Sequence, residues 1–236
     1  MSCTVLSMAR GCGLYAKRAS FDLSLYLVAD RGSAASDKDF FHKVNNAIIG
    51  GVSCIQYRDL KNDNDTVVST ARRLQEMLKG TGIRLFVNGS IESAAYADGV
   101  FLEQKSLSYQ DIRRRLGDSL IIGVPVRNRE DAVSCNDLDV DYVSVKVFPS
   151  QNTNPTDRAT WGIEGLRAMR SLVRHPIVAI GGIDLTNVES VARELESQDG
   201  VAMVGELWRG DTISTAKKIR EILNQARSSK GGSHVI

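Results

Sequence analysis

The sequence predicts a single (β/α)8 TIM barrel. Three observations carry this: eight short β-branched apolar runs, a segment with helical spacing after each, and runs that are continuously apolar rather than alternating. A strand with core on both faces has no side to keep polar, so unbroken hydrophobicity marks a parallel sheet buried between layers. Regular alternation along the whole chain favours closure over an open doubly wound sheet, and 236 residues suit one barrel.

Taken in order, the strands are expected at 25–29, 53–57, 84–87, 100–102, 120–124, 142–147, 177–180 and 201–204. The helices are expected at 37–49, 64–78, 90–97, 108–116, 128–135, 162–173, 185–195 and 212–226, where apolar residues recur every three or four positions. Several are preceded by Ser, Asp or Asn, which accept from the first exposed amides of a helix. Barrels carry their chemistry at the C-terminal ends of the strands. Those ends are Asp30, Gln56-Tyr57-Arg58, Asn88, Glu103-Gln104, Pro125 to Arg127, Lys146 to Pro149, Gly181-Gly182 and Gly205-Glu206.

Thirty Lys and Arg against 28 Asp and Glu leave a net charge of +2, which speaks against a nucleic-acid or membrane partner and leaves small anions open. Cys3, Cys12, Cys54 and Cys135 lack paired metal spacing, and three histidines are too few to suggest zinc. The expected setting is cytoplasmic with reduced thiols. Residues 23–227 form the barrel. Residues 1–22 read as a flexible N-terminal extension; their bases Arg10, Lys17 and Arg18 faintly resemble a transit peptide. Residues 228–236 read as a disordered polar tail, and an oligomer is left open.

The sharpest local signal is Val178-Ala179-Ile180-Gly181-Gly182-Ile183-Asp184, a buried strand running into paired glycines and a helix start. Glycine lets backbone N–H groups approach an oxyanion, so strand seven, with Val204-Gly205 ending strand eight, is a candidate phosphate cradle; the bland reading is two tight turns. Gln56 and Arg58 fall on one face of strand two, where Arg can grip phosphate oxygens in pairs and Gln can bond a heterocycle, unless Arg58 merely pairs with a neighbouring acid. Asn88 is either a polar ligand group or a helix cap. His175, before Pro176, belongs to the stability face. Arg113-Arg114-Arg115 reads as a solvated face and Cys54 as core.

Several motifs, in order from about Ser24 to Ala226, resemble the thiamine phosphate synthase family and its TenI relatives. They include Leu25-Tyr26-Leu27-Val28-Ala29-Asp30, Gly50-Gly51-Val52, Gln56-Tyr57-Arg58-Asp59, Val87-Asn88, Ala97-Asp98-Gly99-Val100, Ile121-Ile122-Gly123-Val124, Asp141-Tyr142-Val143, Val147-Phe148-Pro149-Ser150, Gly162-Ile163-Glu164-Gly165-Leu166 and Ile180-Gly181-Gly182-Ile183. The resemblance implies condensation of a hydroxymethylpyrimidine diphosphate with a thiazole phosphate, giving thiamine phosphate and pyrophosphate with assistance from Mg²⁺. It puts Gln56 and Arg58 at the pyrimidine diphosphate as catalytic residues and Asn88 at the pyrimidine ring. Ser150, Gly181, Gly182, Val204 and Gly205 are then expected to bind substrate.

The departures fall on the chemistry. Where the family carries a lysine and two Mg²⁺ carboxylates, this chain has Leu60, Gly89 and Ser106; its S-x-H segment reads Pro125-Val126-Arg127, and another family lysine is Asn154. Lys61, Lys105, Lys146 and Arg127 are the cations available to substitute, and Glu103 is the acid left for a metal. Two alternatives follow from this. One is a catalytically degraded phosphate-ligand-binding or regulatory homologue; the other is a TenI-like thiazole phosphate isomerase, although the histidine of that reaction aligns with Arg127.

Overall fold

A computed structural model describes residues 21–88, 91–103, 113–115, 117–149 and 160–231. Eight parallel strands close on themselves: β1 (Leu25–Asp30), β2 (Cys54–Arg58), β3 (Arg84–Asn88), β4 (Gly99–Phe101), β5 (Ile121–Val126), β6 (Tyr142–Lys146), β7 (Ile177–Ile180) and β8 (Gly200–Met203), with β8 pairing back onto β1. Outside them, among the described residues, lie α1 (Asp37–Gly50), α2 (Asn64–Leu78), α3 (Arg129–Ser134), α4 (Gly162–Leu172), α5 (Val188–Glu194) and α6 (Thr212–Gly231). Ser36, Asp63 and Asn128 cap α1, α2 and α3, each side chain accepting from the amide three residues on. Among the described residues no helix is long and apolar enough to cross a membrane.

Alternation along each strand splits the core in two. Leu25, Leu27, Ile55, Tyr57, Leu85 and Val87 pack outward against helix residues such as Phe40, Val44 and Leu74. Tyr26, Val28, Cys54, Phe86, Phe101, Ile121, Tyr142, Val178 and Ala202 fill the barrel. Tyr26 lies parallel to Phe86 with ring centroids 5.6 Å apart. Tyr142 fits because its partner across β5 is Gly123, where any Cβ would run into the tyrosine ring. Phe21 closes the floor edge-on to Phe86 and Tyr142 at 6.2 Å, and Asp22 pairs with Arg220 at 3.1 Å. Phe21 and Asp22 thus pack as part of the barrel, ahead of the boundary expected at residue 23; residues 1–20 lie outside the described residues.

Other differences have local causes. The segment expected as a helix over 90–97 makes only 3-10 turns at Glu92–Tyr96, because the link between β3 and β4 is too short for a multi-turn helix with its own loops. The helix expected from 185 starts at Val188, since Asp184 N donates to the Asn187 side chain while the Asp184 carboxylate accepts from Thr186 N, which holds the chain in a turn. At the other end α6 runs to Gly231, four residues into the stretch expected as a disordered tail. Arg113 is not a solvated residue: it is 7% exposed and pairs with Asp141 at 2.8 Å at the N-terminal face. His175 stays on that face, with Nε2 2.9 Å from the Cys135 carbonyl, and Cys54 is core as expected.

Candidate active site

The register brings the polar ends of β1, β2 and β3 together. Val28, Gln56 and Phe86 are Cα partners in one row, and two residues further up the barrel Asp30, Arg58 and Asn88 form the next. Since Val28 and Phe86 fill the interior, Gln56 shares that face, and Asp30, Arg58 and Asn88 stand above it at the mouth. Gln56 is 5% exposed and accepts from the Tyr26 hydroxyl at 2.9 Å. Asn88 is 4% exposed, and its Nδ2 has no partner among the described residues; the same holds for Nε of Arg58. A buried donor without an acceptor is costly in a folded protein and commonly marks a place where a ligand completes the bonding.

Arg58 extends toward Asp30, with Nη2 3.6 Å from the carboxylate. That carboxylate also accepts from Gly32 N at 3.0 Å, which shapes the turn after β1. The Lys61 side chain reaches the same turn: its Nζ lies 3.6 Å from the place a Cβ on Gly32 would take. Two cations therefore gather over the ends of β1 and β2, and the exposed Leu60 between them carries no charge.

The glycine-bearing ends of β7 and β8 lie on another arc of the rim. Gly181 and Gly182 have φ of 93° and 55°, a region closed to most side chains. A Cβ on Gly182 would stand 2.5 Å from the Pro149 carbonyl, and one on Gly181 2.8 Å from that of Phe148. The loop after β6 packs directly on these glycines, so both the turn and that close approach demand them. Their carbonyls are engaged: Phe148 N–H donates to Gly181 at 3.2 Å and Asn187 Nδ2 to Gly182 at 2.9 Å. Among the described residues none of the turn hydrogen bonds uses the N–H of Gly181, Gly182 or Gly205. Val204 packs against the interior cluster, which leads Gly205 to the rim.

Sequence reasoning missed three residues. Arg209 folds back over Gly205, donating from Nε to its carbonyl at 3.3 Å, with Nη2 2.8 Å from where a Gly205 Cβ would be. Hydrogen bonds from Thr186, with Arg209 nearby, hold the Asp184 carboxyl below its ordinary range. The signal was a lone base four residues past a strand-ending glycine. Tyr26 and Tyr142 were legible only as core-facing aromatics.

Ser150, Gly89, Ser106, Lys105 and Asn154 lie outside the described residues. Glu103 ends the described part of the β4 loop, and Arg127 donates to its backbone carbonyl rather than to its carboxylate. Among the described residues no three of His, Cys, Asp and Glu gather as a metal site.

Comparison with known proteins accords with this geometry. The family model described as thiamine monophosphate synthase matches residues 25–207. A thiamine-phosphate synthase of Azorhizobium caulinodans is 33% identical over 210 residues, covering 88% of this chain and 98% of that protein. One from Albidiferax ferrireducens is 33% identical over 205 residues, covering 86% and 92%. The solved thiamine phosphate pyrophosphorylase of Pyrococcus furiosus superposes with a TM-score of 0.75 at 26% identity, covering 86% of this chain and 96% of that one. A 3-hexulose-6-phosphate synthase from Salmonella typhimurium, at 16% identity and a TM-score of 0.65, shares the fold.

Proposed function

Because the chain belongs to the thiamine monophosphate synthase family, we propose that it condenses a hydroxymethylpyrimidine diphosphate with a thiazole phosphate to give thiamine phosphate and pyrophosphate. The observation that supports this best is the grouping of Gln56, Arg58 and Asn88, with unpartnered buried donors, apart from the glycine-lined ends of β7 and β8. Two arcs with different donors suit two phosphorylated substrates.

In this reading the bond between the pyrimidine methylene carbon and the diphosphate oxygen breaks, and the oxygen keeps the electron pair. The carbon left behind accepts the thiazole nitrogen's lone pair, forming the new C–N bond. The step is limited by charge gathering on the departing diphosphate, and fixed cations stabilise such charge without reorganising. Arg58, held by Asp30, and Lys61 fill that role. Gln56 and Asn88 hold the pyrimidine, and the amides of Gly181, Gly182 and Gly205 hold the thiazole phosphate. Ser150 is assigned to substrate on the family resemblance.

The residues do not fit a protein-built Mg²⁺ site. A hard cation needs several oxygen ligands; where the family resemblance asks for carboxylates the chain has Gly89 and Ser106, the Asp30 carboxylate is engaged by Arg58 and Gly32 N, and among the described residues no three of His, Cys, Asp and Glu gather around Glu103. That shortage favours a second reading, a homologue that binds the phosphorylated ligands without joining them. The free thiols of Cys54 and Cys135 are in keeping with a reducing, cytoplasmic setting.

Incubating the protein with both precursors and oxidising the product to a fluorescent thiochrome tests the proposal. Thiamine phosphate formed in proportion to enzyme supports a synthase. Calorimetric binding of both precursors with no product supports the second reading, and binding of neither overturns both.

A further inference from the structure

Beneath the mouth, two buried hydroxyls form a chain that ends on Gln56. Tyr26 donates to Gln56 Oε1 at 2.9 Å, and its oxygen lies 2.9 Å from that of Tyr142. Tyr26 has one proton, and Gln56 takes it. Tyr142 must therefore donate to Tyr26, so the chain runs in one direction, from Tyr142 through Tyr26 to the amide. Burial pushes both hydroxyls well above their ordinary pKa, and they stay protonated donors at any physiological pH.

The rings have little freedom to break this chain. Tyr26 is stacked on Phe86 with planes 6° apart, and Tyr142 is wedged over Gly123. Cys54, Tyr26's partner in the register, lies one step below Gln56 on the same face of β2, so the hydroxyl meets the amide from the barrel floor. An amide has one acceptor end and one donor end. With Oε1 occupied from beneath, the NH2 is the end left for whatever enters from the mouth. Its neighbours in the next row are Asn88 Nδ2 and Arg58 Nε, both buried N–H donors without a partner among the described residues.

We propose that the Tyr142–Tyr26 hydroxyl pair is a positioning device for Gln56, locking the amide so that its NH2 faces the mouth and selects a heterocycle with a hydrogen-bond acceptor there, such as an unprotonated ring nitrogen. The proposal rests on the synthase reading and deepens it: ring selection is set by the interior of the barrel as well as by its rim. An amide free to turn would offer donor and acceptor alike and discriminate less.

Tyr26→Phe removes the hydroxyl and keeps the ring. Its KM for the pyrimidine diphosphate should rise about tenfold, a loss of about 1.4 kcal/mol, while the KM for the thiazole phosphate stays nearly unchanged and the melting temperature falls modestly, because the buried Tyr142 hydroxyl loses its acceptor. In a Gln56→Leu background the same change should add less than about twofold, because Tyr26 acts through Gln56. Equal rises in both KM values, or full additivity in the cycle, would overturn the proposal. Should Tyr26→Phe fail to fold, Gln56→Glu keeps the acceptor toward Tyr26 and removes the NH2; undiminished binding of the pyrimidine diphosphate by that variant also overturns it. A parent protein that does not bind the pyrimidine diphosphate in calorimetry defeats the synthase reading and this proposal together. Parent binding that Tyr26→Phe leaves intact defeats this proposal alone.

Discussion

The hydroxyl of Tyr57 donates to the carboxylate of Asp59 at 3.0 Å, tying the outward face of β2 to the turn that holds Arg58. The same carboxylate accepts from Lys61 N and Asn62 N at 3.1 Å each and from Asn62 Nδ2 at 2.7 Å. Arg58 thus stands beside a turn built around one buried acid.

Asp59 predicts a pH dependence. Burial alone would raise its carboxyl, but the hydrogen bonds from Asn62, Lys61 and Tyr57 outweigh it and bring it below the ordinary value. A depressed carboxyl favours the charged form in the folded state, so its contribution is present above the unfolded value of about 3.9 and is lost as pH falls through the lower folded value. Asp59→Asn should flatten the acid limb of the stability curve and cost about 1–2 kcal/mol at neutral pH. Urea unfolding between about pH 3 and pH 7 measures both.

Arg58→Lys should lower kcat/KM for the pyrimidine diphosphate about a hundredfold, the scale of removing one preorganised donor from a developing negative charge. Lysine keeps the charge but loses the guanidinium fork and the buried Nε donor. Steady-state kinetics at saturating thiazole phosphate reads the loss.

Gly182→Ala should destabilise the protein by about 2–3 kcal/mol, because the new Cβ combines a left-handed φ with a backbone carbonyl 2.5 Å away. Gly51→Ala is the control: its φ is 93° and nothing lies within 4 Å, so it should cost only about 1 kcal/mol. Thermal melts of the pair separate strain from collision. The KM for the thiazole phosphate should rise only in the first.

Arg209→Gln should weaken the thiazole phosphate about fivefold and leave the pyrimidine diphosphate unaffected, since the guanidinium lies over Gly205 on the β8 side of the rim. The difference should shrink at high salt, because the side chain is exposed. Parallel KM measurements at low and high ionic strength check it.

Restoring acids with Gly89→Asp and Ser106→Asp together should lower the Mg²⁺ concentration for half-maximal turnover about tenfold, as ligand charge sets the affinity of hard cations. Chelator titration followed by Mg²⁺ add-back reads that value in the parent and the double variant.

The order of the strands, the polar strand ends and the glycine turns were legible in the chain because each depends on neighbours in sequence: apolar period, capping residues and φ preference. Gln56 and Arg58 could be placed on one face from alternation alone. Their meeting with Asp30 and Asn88 could not, because it depends on the register of β1 against β2 and of β2 against β3. Arg113 was misread for a related reason: a run of three arginines looks solvated until Asp141, 28 residues away, is folded against the first of them.

What the sequence by itself determined is the barrel and the arc of residues that ends each strand, since periodicity and turn chemistry are local properties of the chain. Only the tertiary structure decided which of those ends carry unsatisfied donors, what the paired glycines pack against, and that two tyrosines 116 residues apart join to hold one amide. The physical reason is that hydrogen-bond direction and steric fit inside a closed barrel depend on distances across the sheet, and strand closure alone sets those distances.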